Sequence, residues 1–128
     1  MVTQYFNIGS QDWGMLLCYN YSMADSHELI ATMQSFGLTK KKAKEALRVL
    51  SRQNTGMTIS NMDLRMSVVF VSDAESEEQW WNTVSHELYH VGVAIIDYYN
   101  EDYDGESAAY LQGYLMEQVI RELAPPCH

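Results

Sequence analysis

At 128 residues, with 47% hydrophobic and 20% charged residues, the chain has the length and balance of one globular domain with a real core. Its formal net charge of −9, with no basic stripe, excludes ordinary binding to a nucleic-acid backbone and disfavours anionic membranes. No window of about 18 apolar residues exists, so no membrane-spanning helix is expected.

The N-terminal Met1–Phe6 stretch lacks a basic n-region, so no signal peptide is read there. Cys18 and Cys127 lie far apart and make no disulfide framework. Together these predict a reduced, cytoplasmic protein.

Val2 to Ile8 and Trp13 to Tyr21 read as two short strands separated by a Gly9-Ser10-Gln11-Asp12 turn. Asp25, with Glu28 three residues on, reads as the N-cap of a helix carrying Leu29, Ile30, Met33 and Phe36, which Gly37 ends. Thr39 caps a second helix with Ala43, Ala46, Leu47 and Leu50 on one side. Its lysines, Lys40 to Lys44, read as a solvated face. Asn54-Thr55-Gly56 marks a turn.

Leu64 to Val71 is the strongest strand, and its Val68-Val69-Phe70-Val71 run suits a strand covered on both faces. Glu77 and Glu78 favour a helix start, and Trp80, Val84, Leu88, Val91, Ile95 and Tyr98 then repeat at spacings of three and four to about Tyr99. Asn100 to Asp104 is a polar turn, with Asp104 as N-cap of a last helix. Leu111, Leu115, Val119 and Leu123 form that helix's apolar row, and Pro125-Pro126 stops it. The expected fold class is α+β over residues 1–128: a small sheet of three or four strands, two helices before the main strand and two after it. The tail Pro125-Pro126-Cys127-His128 reads as frayed.

Within the long helix lies His86-Glu87-Leu88-Tyr89-His90, an H-E-x-x-H string. Random order of this composition would produce it roughly one time in a hundred. Residues four apart sit one helical turn above each other, so two imidazoles there can reach one metal ion. Glu87 borders the same face and can take a proton from a metal-activated water. The bland alternative is two solvent-facing histidines on an ordinary helix.

Zinc held by two histidines of one helix needs a further protein ligand and, in a catalytic site, an open position. His27 sits on an early helix and His128 is terminal, so carboxylates after His90 are the candidates. Glu106, in the first turn of the last helix, is preferred, because a helical hairpin returns that turn toward the motif. Asp97, Asp102 and Asp104 are rivals, but Asp97 lies about 10 Å along the axis, too far for the same ion and suited to supporting a ligand or substrate, and Asp104 reads better as a cap. Glu106 could instead serve only the helix dipole. Tyr110, one turn after Glu106, is a candidate hydrogen-bond donor to an oxyanion. His27, Tyr89 and Tyr103 are weaker candidates for that role. Such a site, with Zn2+ as cofactor, suits water-activated hydrolysis of amides or esters, with Glu87 as general base.

The string His86 to His90, followed by Glu106-Ser107-Ala108-Ala109-Tyr110-Leu111, resembles the gluzincin clan of metallopeptidases. It also resembles small phage- and mobile-element-associated zinc peptidases and, more loosely, the peptidase domain that cleaves phage-type repressors. The likeness covers about Asn61 to Leu123. It implies a zincin-like minimal core in which His86, His90 and Glu106 hold the metal and Glu87 is the base. The His90-to-Glu106 interval is shorter than in large gluzincins, and no second lobe is recognisable. A zinc peptidase acting on a peptide or protein substrate is therefore expected. The alternatives are a non-proteolytic zinc hydrolase and a catalytically inactive zincin scaffold that works by protein binding. In zincins an edge strand beside the site pairs with extended substrate, and Leu64 to Val71 or its neighbour is the expected one.

Overall fold

The structure, a computed structural model, describes residues 1–99 and 105–123. The expectations placed on Asp102, Tyr103, Asp104 and the tail from Pro125 to His128 lie outside the described residues. The elements run β1 (Val2–Ile8), β2 (Trp13–Tyr19), α1 (Ser26–Ser35), α2 (Lys40–Leu50), β3 (Gly56–Asn61), β4 (Met66–Val71), α3 (Glu77–Tyr99) and α4 (Gly105–Leu123). The α+β class and its helix count before and after the main strand agree with expectation.

The four strands form one mixed sheet in the order β1-β2-β4-β3. The two outer pairs are antiparallel hairpins, and β2 lies parallel to β4 at the centre. The α1–α2 layer and β3, which separate the two strands in sequence, supply the long crossover that a parallel pair needs. Asp12, at φ 50°, closes the first hairpin in the left-handed conformation, and Arg65, also at φ 50°, closes the second. Asn20, at φ 55°, ends β2 two residues earlier than the apolar run suggested.

Two cores lie on opposite sheet faces. Leu17, Val69 and Val71 pack with Val84, Leu88, Val91 and Ile95 of α3 and Leu111, Leu115 and Val119 of α4. Cys18, Val68 and Phe70 pack with Leu29 and Met33 of α1 and Ala43 and Leu50 of α2. β4 thus has both faces covered, as its unbroken apolar run required.

The helix ends follow local chemistry, with one correction. Asp25 occupies the N-cap position of α1, as expected, but its side chain makes no cap hydrogen bond to the helix. Ser22 and Asp25 instead form a reciprocal capping box around a 3-10 turn, Met23–Asp25, that leads into the helix. Gly37, at φ 103°, stops the chain after α1, a conformation glycine adopts without strain. The Thr39 hydroxyl accepts from the Lys42 amide at 3.2 Å, as expected of an N-cap. Ser76 does the same for α3 through the Gln79 amide, also at 3.2 Å.

Burial of Val84, Leu88, Val91 and Ile95, each worth roughly 1.5–3 kcal/mol, sets the rotation of α3 about its axis. Tyr98, at the end of that stripe, is exposed instead, with its ring edge-on to Trp13 at 5.5 Å. Among the described residues, no helix is long and apolar enough to cross a membrane.

Candidate metal centre

Each residue of an α-helix turns the chain by about 100°. Glu87 therefore points close to the Val84–Val91 direction and is buried, at 6% exposure. His86 and His90 lie on its outer flank, and both are exposed. The core stripe thus decides that the carboxylate faces the sheet while the imidazoles face outward.

The two histidines converge. Their Nε2 atoms are 3.4 Å apart, with ring centroids 5.0 Å apart and rings steeply inclined at 75°. Glu87 Oε2 lies 3.9 Å from His86 Nε2. The other carboxylate oxygen, Oε1, accepts a 2.8 Å hydrogen bond from the Thr58 hydroxyl, which is also 3.1 Å from the Glu87 carbonyl oxygen. Beside His86 and Glu87 an open cleft of about 320 Å³ is lined by Asn54, Thr55 and Gly56 from the sheet side and by Asn82 and Thr83 from α3.

The strand facing Glu87 is β3, the free edge of the sheet. Leu64 to Val71 is not that edge: β4 begins at Met66 and runs between β2 and β3. The neighbour named as the other possibility holds the position.

Thr58 and Gly56 were not foreseen, because Asn54-Thr55-Gly56 reads as a turn and hides the start of β3. The missed signal is the alternation that follows. Met57 and Ile59 pack toward the α1–α2 core, while Thr58 and Ser60 turn to the α3 side.

The remaining candidates lie elsewhere. Glu106 is exposed in the first turn of α4. Among the described residues no three His, Cys, Asp or Glu side chains come together in a group fit for a metal ion. His86 and His90 are therefore brought together, and Glu106 is not placed in a common group with them. Asp97 is exposed on α3, about 10 Å along the axis from His90. His27 is on α1, across the sheet from α3.

Tyr110 is 74% exposed and borders a hollow with Gln11, Ile96 and Tyr114, which shares no lining residue with the His86 cleft. Tyr89 is exposed, with its ring 6.1 Å from that of His90. α4 is tied to α3 one residue before the motif, where Gln112 Nε2 donates to the Ser85 carbonyl at 2.9 Å.

The His86–His90 pair by itself has a spacing compatible with two zinc ligands, without a third placed beside it among the described residues. Zn–N bonds of about 2.0–2.1 Å in a tetrahedral arrangement place two imidazole nitrogens about 3.4 Å apart, which is the separation seen between His86 and His90. Comparison with protein-family models, curated proteins and solved structures finds no match to this chain.

Proposed function

We propose that this chain is a zinc-dependent peptidase built on a zincin-like minimal core, with the His86–His90 turn of α3 as the floor of its active site. The observation that carries this reading is the 3.4 Å approach of the two Nε2 atoms beside a buried, hydrogen-bonded carboxylate. His86 and His90 would hold the metal, with Glu106 proposed as the third protein ligand. Bound zinc would supply Lewis acidity toward a scissile carbonyl and make a water acidic near neutral pH.

The chain's own residues do the rest. Glu87 takes the water's proton at Oε2, the oxygen nearer His86, and returns it to the leaving amine. Burial against β3 keeps that carboxylate from competing waters, while the exposed imidazoles leave the outer face open to substrate. An extended peptide would lie along the free edge of β3.

The test compares wild type with Glu87→Gln, using zinc content and cleavage of a general peptide library. The amide keeps the shape but cannot accept a proton, so zinc should stay bound while hydrolysis falls by at least about a thousandfold. Equal hydrolysis by both proteins would rule the mechanism out. Zinc bound by both with peptide hydrolysis by neither would reject the peptidase reading in favour of a non-proteolytic zinc hydrolase or an inactive, protein-binding scaffold.

A further inference from the structure

We propose that Gly56 and Thr58 of β3 form a clamp that positions the Glu87 carboxylate, immobilising Oε1 and leaving Oε2 as the working oxygen. This rests on the peptidase reading above but assigns a task to residues outside the H-E-x-x-H string.

A glutamate has three rotatable side-chain bonds and two equivalent oxygens, so burial alone does not choose which oxygen faces the reacting water. The Thr58 hydroxyl makes that choice. It lies 2.8 Å from Oε1 and 3.1 Å from the Glu87 main-chain carbonyl, touching both ends of one residue and so holding one rotamer.

Gly56 supplies the wall. A Cβ at that position would stand 2.7 Å from Glu87 Cγ, 2.8 Å from Thr83 Cγ2 and 3.0 Å from Glu87 Oε2, so the carboxylate rests against bare backbone. Residues 56 and 58 alternate onto the same strand face, which lets one short strand provide both contacts. With Oε1 tied and the Cγ side closed, Oε2 is the oxygen left toward His86, 3.9 Å from its Nε2. Thr58 is therefore a positioning residue, acting through Glu87.

The experiment uses Thr58→Val, which keeps shape and removes the hydroxyl, beside Thr58→Ser, which keeps the hydroxyl. In the zinc-loaded protein, T58V should lower kcat about 10–100-fold with KM within about twofold, because displacing a catalytic group by about 1 Å costs that much. T58S should recover kcat to within about threefold of wild type. A purely packing role for Thr58 would instead leave T58V near wild type and make T58S the poorer variant, and that result would overturn the clamp.

A second readout needs no activity. With side-chain 13C-labelled glutamate in metal-free protein at fixed pH, the Glu87 carboxyl resonance should shift or broaden in T58V and stay in place in T58S. An unmoved resonance in T58V rejects the clamp. If wild type binds zinc yet hydrolyses nothing, the peptidase reading fails alone, and the resonance still decides whether Thr58 holds Glu87.

Discussion

At the scale of single residues, the site separates groups by how far each sits from the apolar stripe of α3. Glu87 lies next to the stripe and is drawn under β3, whereas His86 and His90 are turned outward. The inward carboxylate and the two outward imidazoles thus follow from one helical rotation. The residue that most needs testing is Glu106. If Glu106 is the third ligand, as proposed, Glu106→Ala should weaken zinc binding by orders of magnitude, measured by competition with a chelating dye, because a metal–oxygen bond would be lost. Unchanged affinity would pass the role to another carboxylate, though not to Asp97, which lies about 10 Å along α3 from His90. The pairing of His86 with His90 was legible from spacing alone, because i and i+4 are neighbours on any helix. The contact between Thr58 and Glu87 was not, because 29 residues separate them and nothing local links the two.

At the scale of elements, β3 is the piece that turns a helix with a motif into a walled site. Its approach to α3 depends on Gly56, and here two effects oppose each other. Alanine in a strand is ordinarily favoured over glycine by roughly 0.5–1 kcal/mol through chain entropy. At Gly56 the added Cβ would meet Glu87 Cγ at 2.7 Å and Thr83 Cγ2 at 2.8 Å, and overpacking of that kind costs about 1–3 kcal/mol. Sterics should win. Gly56→Ala is expected to lower the urea midpoint and to reduce kcat by displacing Glu87; a variant more stable than wild type would show that β3 can retreat freely. Other elements could be read directly. Thr39 caps α2, Gly37 stops α1, and the α3 periodicity runs to Tyr99 as expected. Asp25 does stand at the N-cap of α1, but its carboxylate accepts from the Ser22 amide of the preceding 3-10 turn and not from the helix it begins.

At the scale of the whole molecule, the sheet divides the protein into a structural side and a chemical side. The α1–α2 layer covers Cys18, which is fully buried, and Tyr21, whose hydroxyl lies 2.9 Å from that of Ser72. Burial pushes the Cys18 thiol from its ordinary 9.0 up to about 12, with Glu28 adding to the rise. Burial likewise lifts Tyr21 from 10.0 to about 12, against the opposing hydrogen bond from Ser72. Both groups hold their protons more tightly when folded. Stability from them is therefore complete below about pH 9 and is lost as pH climbs from 9 through 12, where the unfolded chain ionises first. Urea midpoints should fall across that window, and Cys18→Ala should flatten the fall; a pH-independent midpoint in wild type would count against it. The His86–His90 face should be insensitive to Cys18→Ala, because the sheet lies between them.

Sequence alone determined the features that depend on near neighbours. It placed the helical spacing that stacks two imidazoles, the apolar run that makes β4 a doubly covered strand, and the start of α2 at Thr39 and the stop of α1 at Gly37. Those patterns act over one or two turns, where chain geometry leaves little choice. Tertiary structure decided which strand faced α3 at the sheet edge, which residues of that strand met Glu87, and which carboxylate oxygen Thr58 bonds. Such choices depend on how two core faces pack at once, and that packing depends on residues far apart in the chain.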